Sequence, residues 1–144
     1  MNDSQFNPLF NIVLIHPQIP NNTGNAGRTA VVTGCRLHVV RPIAFDMDEQ
    51  AVRRAGLDYW HLVDLREHES WSAFMQREQP KNVWLYTSHA TRAHWQAPMQ
   101  RGDYLLLAMK PAARPRTFTS GWRKHLARTI CCAFPCAIIP LAAA

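Results

Sequence analysis

The residues best suited to chemistry in this sequence lie in a short polar run near its beginning. The run Ile19–Arg28 follows the apolar segment Asn11–Ile15. It contains Asn22, Asn25 and Arg28 in the spacing Asn-x-Gly-Asn-x-x-Arg. Amide side chains and free backbone N–H groups at a strand-to-helix junction can bind anions or polar ligands. Arg28 adds a permanent positive charge whose donors fit phosphate, so we expect a binding or catalytic site here.

The overall charge points to an anionic partner. The chain has 144 residues and a formal net charge of +6, with an isoelectric point near 9.6. Nucleic acid is the commonest partner of such a basic protein. The first 15 residues contain no Lys or Arg, and their apolar piece is short, so a signal peptide is not expected. No apolar run is long enough to span a membrane, so we expect a cytoplasmic protein.

The cysteines and histidines do not form a recognisable metal motif. Of the four cysteines, Cys35 stands alone and three crowd the end of the sequence: Cys131, Cys132 and Cys136. They lack a second ligand pair at zinc-finger spacing, and the seven histidines are scattered. We therefore expect no metal site and no disulfide framework.

The elements that must position the polar run alternate along the chain. Buried strands are predicted at Asn11–Ile15, Leu37–Val40, His61–Leu65, Val83–Thr87 and Tyr104–Leu107. Helices are predicted over residues 24–33, from Asp48 to Ala55, and after Ser70. Gly34 suits a helix C-cap and Ser70 a helix N-cap. Strands alternating with helices predict an α/β fold with a mostly parallel sheet flanked by helices.

The character of the sequence changes after Leu107. Residues 108–128 are basic and have no convincing period, and residues 129–144 are apolar and rich in Cys. Pro135 and Pro140 would break a helix and remove donors from a central strand. We therefore divide the chain into residues 1–107 and a tail of residues 108–144, for which no element is predicted.

The first of these parts closely resembles the TrmL (YibK) branch of the SPOUT methyltransferases, which are tRNA ribose 2′-O-methyltransferases of the wobble nucleotide. Five segments match in order and spacing: Asn11–Leu14, Ile19–Asn25 with Arg28, Thr33–His38, Arg53–Trp60 and Gly102–Leu106. The broader class shares the loop with Asn, Gly-Asn and Arg. The segment Arg53–Trp60, which reads Arg-Arg-Ala-Gly-Leu-Asp-Tyr-Trp, narrows the match to this branch.

The resemblance implies methyl transfer from S-adenosylmethionine to a 2′-hydroxyl at position 34 of the tRNA anticodon stem-loop. It also implies a homodimer whose C-terminal half ties a trefoil knot around the cofactor. Arg28 matches the arginine assigned to activating the hydroxyl. A guanidinium stays protonated and is a poor base, so we expect it to position and stabilise the adjacent phosphate or the developing alkoxide.

The resemblance also assigns binding residues. Asn22 and Asn25 would hold the loop and contact RNA or the dimer partner, although turn formation or capping explains them equally well. Arg53 and Arg54 would contact tRNA phosphates, the alternative being a solvated helix face with ordinary ion pairs. The cofactor positions are Tyr86, at the end of its strand, and Ala108, where the family has a glycine.

The cofactor half is where the sequence departs from the family. The family follows the Gly-Asp-Tyr strand with Gly-x-Glu-Ser/Thr-Arg-Gly, then Ile-Pro-Met and Arg-Ser, and none of these stands in residues 108–144. However, if the codons from Leu107 onward are shifted by one base, the genetic code allows them to encode Gly-Asn-Glu-Thr-Arg-Gly. From Ile130 it allows Met-Leu-Arg-Ile-Pro-Met and, further on, Ala-Arg-Ser. Our hypothesis is that a one-base frameshift, either natural or introduced in sequencing, replaced the knot-forming half with an aberrant tail.

Three functions are compatible with the sequence. The first is the tRNA methyltransferase. The second is a non-catalytic RNA-binding remnant that has lost the cofactor site. The third, a nucleotide-binding α/β protein with the Asn22–Arg28 run as phosphate cradle, lacks a P-loop and a Gly-x-Gly-x-x-Gly motif.

Overall fold

A seven-stranded parallel sheet organises the chain. The computed structural model describes residues 7–45, 47, 58–86, 92–107 and 130–133. The strands are β1 (Asn11–Ile15), β2 (Arg36–Val40), β3 (Leu65–His68), β4 (Val83–Tyr86), β5 (Arg92–Ala93), β6 (Tyr104–Leu107) and β7 (Ile130–Ala133). Their order across the sheet is β3-β2-β1-β6-β4-β7-β5. The α/β class and the mostly parallel sheet are confirmed.

Two helices cover opposite faces of this sheet. They are α1 (Pro20–Thr33) and α2 (Trp71–Glu78). Successive strand residues point to opposite faces, so the alternation along β1 and β2 builds two cores. The α1 side contains Ile12, Ala26, Ala30, Cys35, Leu37 and Val39. The α2 side contains Val13, Ile15, Val40, Phe74, Val83, Leu85 and Leu106.

The residue types at the helix ends explain where the helices begin and end. Pro20 opens α1, where its missing N–H costs no hydrogen bond. Gly34 ends it in the left-handed conformation, with φ 70°, as expected for a C-cap. Ser70 caps α2 because its Oγ accepts a hydrogen bond from the Ala73 N–H at 3.1 Å. Both predicted caps are confirmed.

Several predicted bounds were wrong. The first helix begins at Pro20 rather than at residue 24, because proline is preorganised for the first helical turn. The predicted strand His61–Leu65 is instead a 3₁₀ turn at Trp60–Leu62, and β3 follows it. This strand pairs Leu65 with Leu37 and His68 with Val40. Three of its four residues are polar and only His68 is buried, so it lacks the apolar pattern of a buried strand. The strand predicted at Val83–Thr87 is present over Val83–Tyr86, and Thr87 lies outside the described residues.

Two further outcomes concern the remaining parts of the chain. The helix predicted from Asp48 to Ala55 lies outside the described residues. In the tail, where no element was predicted, β7 pairs in parallel with β4 and β5. It is only four residues long and ends before Pro135, so the proline does not interrupt its ladder. Among the described residues, no helix has the length and apolar character needed to cross a membrane.

Candidate RNA-facing and buried polar sites

The polar run Ile19–Arg28 is helical from Pro20 onward. Asn22 and Asn25 lie in the first two turns of α1, so the predicted loop before the helix is wrong. Asn22 is half-buried, whereas Asn25 and Arg28 are exposed. The solvent-facing positions of the helix follow helical spacing: Asn21, Asn25, Arg28, Thr29 and Val32. The structure therefore brings Asn25 and Arg28 onto one exposed stripe, three residues apart.

The position of Arg28 along the helix changes what it can do. Arg28 follows Pro20 by eight residues, which places it about 12 Å along the helix axis. The Arg28 Cα therefore lies more than two turns from the start of the helix. Arg28 is a separate cationic group on the side of the helix.

Tyr59, from the segment Arg53–Trp60, holds the Arg28 side chain against α1. The guanidinium carbon of Arg28 lies 4.9 Å from the centre of the Tyr59 ring, a cation–π contact. The Tyr59 hydroxyl donates a hydrogen bond to the carbonyl oxygen of Gly24, which lies one helical turn before Arg28. Tyr59 therefore joins the helix backbone to the arginine side chain and restricts where the guanidinium can lie.

The next residue packs beneath the same helix. A Cβ built on Gly27 would lie 2.7 Å from Cζ3 of Trp60, closer than atoms approach in folded proteins. Gly27 is buried, and Trp60 and Val63 pack against the α1 side of the sheet. Trp60 therefore contributes packing, and together with Tyr59 it holds α1 in place.

We expect Gly27→Ala to destabilise the fold although alanine is the better helix former. In an open helix the change would gain about 1 kcal/mol, but overpacking against Trp60 costs about 1–3 kcal/mol. Urea unfolding of Gly27→Ala should therefore show a loss. Asn25→Ala, on the exposed side of the same helix, is the matched control and should be neutral or slightly stabilising. A gain in stability for Gly27→Ala would contradict the packing described here.

The predicted cofactor position Tyr86 lies at the carboxyl edge of the sheet. It pairs in register with Leu107, and Leu107 pairs with Leu14, so β4, β6 and β1 end side by side. Open parallel sheets bind ligands beyond this edge. The Tyr86 side chain is half-buried, and its hydroxyl contacts Sδ of Met99 at 3.5 Å. The other predicted positions, Arg53, Arg54 and Ala108, lie outside the described residues.

The Gly-Asp-Tyr segment stabilises the opposite edge. The buried carboxylate of Asp103 accepts hydrogen bonds from Trp84 Nε1 at 2.8 Å, Asn82 Nδ2 at 3.1 Å and the Gln100 N–H at 2.8 Å. Gly102 adopts φ 87°, which favours glycine. This motif is therefore structural and lies at the amino ends of the strands.

A buried cluster that sequence reasoning missed lies on the α2 side of the sheet. His38 Nδ1 and His68 Nε2 are 3.1 Å apart, on neighbouring strands. Glu78 Oε1, from the last turn of α2, is 3.9 Å from His38 Nδ1 and 3.8 Å from His68 Nε2. Thirty residues separate the two histidines, so only the pairing of β2 with β3 reveals the cluster.

Hydrogen bonds fix the proton positions in this cluster. Asn11 Nδ2 donates to the Gly102 carbonyl at 2.9 Å, which leaves Asn11 Oδ1 as an acceptor. His38 Nε2 lies 3.1 Å from that oxygen and therefore carries the proton. His38 Nδ1 then has a free lone pair facing His68 and Glu78. The partners thus select one tautomer of His38.

Burial keeps both rings uncharged. Burial, assisted by His68 and by the nearby arginines Arg36, Arg66 and Arg77, lowers the pKa of His38 to about 2. Burial also lowers the pKa of His68, although Glu78 opposes that shift. On the same side, burial and Glu78 raise the pKa of Tyr104 to about 12. Near neutral pH the cluster therefore contains two neutral imidazoles.

Acid should therefore destabilise the fold through His38. Its folded pKa is depressed, so the unfolded chain binds the proton more tightly, and stability falls as the pH drops below about 6.5. Between about pH 6.5 and pH 5 we expect His38 to account for a loss of about 2 kcal/mol. The check is to measure the free energy of unfolding by urea as a function of pH, in a metal-chelating buffer, for the unsubstituted chain and for His38→Gln. Equal pH dependence in the two proteins would show that His38 is protonated in the folded state.

Comparisons with known proteins converge on one kind of enzyme. The SpoU rRNA Methylase family matches residues 9–108. A tRNA (cytidine(34)-2'-O)-methyltransferase of Saccharophagus degradans is 39% identical over 107 residues, which cover 74% of this chain and 70% of that protein. The enzyme of the same name from Escherichia coli K12 is also 39% identical over 107 residues, covering 74% of this chain and 68% of the relative.

Solved structures show the same fold. A structure concerning the 2-OH methylation of C/U34 on tRNA superposes with a TM-score of 0.71 at 34% identity, covering 91% of this chain and 80% of that one. The SpoU methyltransferase AviRb of Streptomyces viridochromogenes superposes with a TM-score of 0.67 over 91% of this chain. Its identity of 16% supports a shared fold alone.

Proposed function

We propose that this chain, which belongs to the SpoU rRNA Methylase family, is a tRNA ribose 2′-O-methyltransferase that acts on the wobble nucleotide. The observation that carries the proposal is the 39% identity to enzymes of that name, over the segment that contains the α1 stripe of Asn25 and Arg28. The net charge of +6 suits a tRNA substrate. The family resemblance further supports a homodimer in the cytoplasm.

Arg28 has an electrostatic role in this proposal. A ribose hydroxyl is a weak nucleophile and must be oriented in line with the methyl group while it loses its proton. The guanidinium cannot accept that proton, but it can bind the neighbouring phosphate and stabilise negative charge developing on the 2′-oxygen. Its contact with Tyr59 orders the side chain before RNA binds, which reduces the entropy lost on binding.

S-adenosylmethionine is the methyl donor we propose. When bound, it supplies an electrophilic methyl group to the attacking oxygen. Tyr86 and Leu107 end adjacent strands, and their backbone at the carboxyl edge of the sheet fits one side of such a site. The sequence that follows lacks the glycine- and arginine-containing motifs of the family, so residues 108–144 as they stand do not supply the other side.

We further propose that residues 108–144 are translated out of frame. The family match ends at residue 108, next to Leu107, from which the alternative frame reads the family's loop motif. In the same frame, the positions of β7 would read Met-Leu-Arg-Ile, the start of the next motif. The nucleotide sequence tests this directly: the shifted codons should encode both motifs, and their absence would refute the frameshift.

The tail favours a second candidate for the chain as it stands, a non-catalytic RNA-binding remnant. It would keep the α1 stripe and bind tRNA without transferring a methyl group. Calorimetric titration with S-adenosylmethionine separates the two candidates. Binding of the cofactor supports the enzyme, whereas retained tRNA affinity without cofactor binding supports the remnant.

A further inference from the structure

The buried cluster of His38, His68 and Glu78 has the dimensions of a metal site. The atoms His38 Nδ1, His68 Nε2 and Glu78 Oε1 form a triangle with sides of 3.1, 3.8 and 3.9 Å. The point equidistant from all three lies about 2.1 Å from each, which is the length of zinc–nitrogen and zinc–oxygen bonds. An ion could therefore contact three protein ligands without a large movement of the backbone.

Two of the three residues also make the outer hydrogen bonds that metal ligands usually make. Metal-binding histidines usually donate their other ring N–H to an oxygen, and His38 donates Nε2–H to Asn11 Oδ1. Metal-binding carboxylates are themselves hydrogen-bonded. Glu78 Oε2 accepts hydrogen bonds from Arg66 Nη1 at 3.3 Å and from the Tyr104 hydroxyl at 3.4 Å. Oε1 also accepts from Arg66 Nη1, at 3.2 Å, so an ion would share Oε1 with that guanidinium or displace it. The structure therefore contains an outer hydrogen bond for His38 and outer hydrogen bonds for Glu78.

We infer that His38, His68 and Glu78 bind a zinc ion inside the folded domain. Two imidazoles and one carboxylate form a ligand set that zinc uses, and two nitrogen ligands favour zinc over magnesium or calcium. Arg66 and Arg77 lie near Glu78 and weaken the attraction for a dication, so the ligand geometry must supply the affinity.

The competing state is a hydrogen bond between the two rings. Without zinc, His68 Nε2–H donates to His38 Nδ1, and one proton occupies the space between the nitrogens. Zinc binding requires that His68 move this proton to its Nδ1 atom. The inference concerns the fold and not catalysis, so it stands or falls independently of the proposed methyl transfer.

Calorimetric titration of the metal-free full chain with zinc tests the inference. Cys131, Cys132 and Cys136 are first replaced by Ser, because their thiolates can bind zinc elsewhere. We expect one zinc per chain and a higher Tm when zinc is present. His68→Gln and, separately, Glu78→Gln should weaken binding by about 100-fold or more, because each removes a ligand. His61→Gln, at an exposed histidine on the 3₁₀ turn, is the matched control and should bind as before.

Two results would overturn the zinc site. One is the absence of zinc binding by the folded chain. The other is binding that His68→Gln and Glu78→Gln leave unchanged. Circular dichroism checks that each variant folds. Glu78→Gln keeps the size of the side chain, so it provides the comparison if His68→Gln fails to fold.

Discussion

Replacing Arg28 with alanine is expected to lower kcat for tRNA methylation by about 10²–10³-fold, the usual effect of removing one group that stabilises developing oxyanion charge. The measurement uses the chain with its reading frame restored after Leu107, which supplies the family's cofactor motifs. Arg28 is exposed and its contact is with Tyr59, so the variant should keep its fold. Most of the loss should appear in kcat, because the charge forms in the transition state.

Two further variants show whether charge alone is sufficient. Arg28→Lys keeps the cation but loses the planar fork, so we expect partial activity. Arg101→Ala removes an exposed arginine at the amino edge of the sheet, the edge opposite Tyr86, and should leave kcat unchanged. If Arg28→Ala retained full turnover, Arg28 would have no part in the reaction.

The second large effect concerns the cofactor. The chain with residues 108–144 as they stand is expected to show no measurable calorimetric binding of S-adenosylmethionine, whereas the frame-restored chain should bind it. The physical reason is that one strand edge, with Tyr86 and Leu107, presents too little of the cofactor's surface for affinity without the loop glycines and arginine.

Affinity for tRNA provides the control. Both chains should bind tRNA with a similar salt dependence, because the residues proposed to contact phosphates all lie in the shared part of the sequence. Cofactor binding by the chain as it stands would show that the tail forms a site of its own, and would refute the frameshift account of its function. Loss of tRNA binding in that chain would show instead that the missing half supplies the RNA contacts.

The sheet centre was predictable because local pattern and tertiary environment agree there. The strands β1 and β6 are short apolar runs buried in a parallel sheet, and both bounds were correct. The caps at Gly34 and Ser70 were also readable, since each depends on one residue and its immediate neighbours. The strand β3 was misplaced because Arg66, Glu67 and His68 look like surface residues until the neighbouring strand and helix are known.

The candidate sites were harder to predict because long-range contacts define them. Arg28 and Asn25 were identified from spacing, but the contacts of Tyr59 and Trp60 with α1 join segments more than thirty residues apart. His38 and His68 are likewise thirty residues apart in the sequence. In the tail, β7 could not be inferred because no periodic pattern surrounds its four residues.

We propose that this chain carries the RNA-side half of a wobble methyltransferase and that its cofactor half lies out of frame. Mapping 2′-O-methyl groups on tRNA by mass spectrometry, after incubation with S-adenosylmethionine, tests it most directly. The frame-restored chain should methylate nucleotide 34, and the chain as it stands should leave it unmodified. Equal methylation by the two chains, or none by the frame-restored chain, would contradict the account.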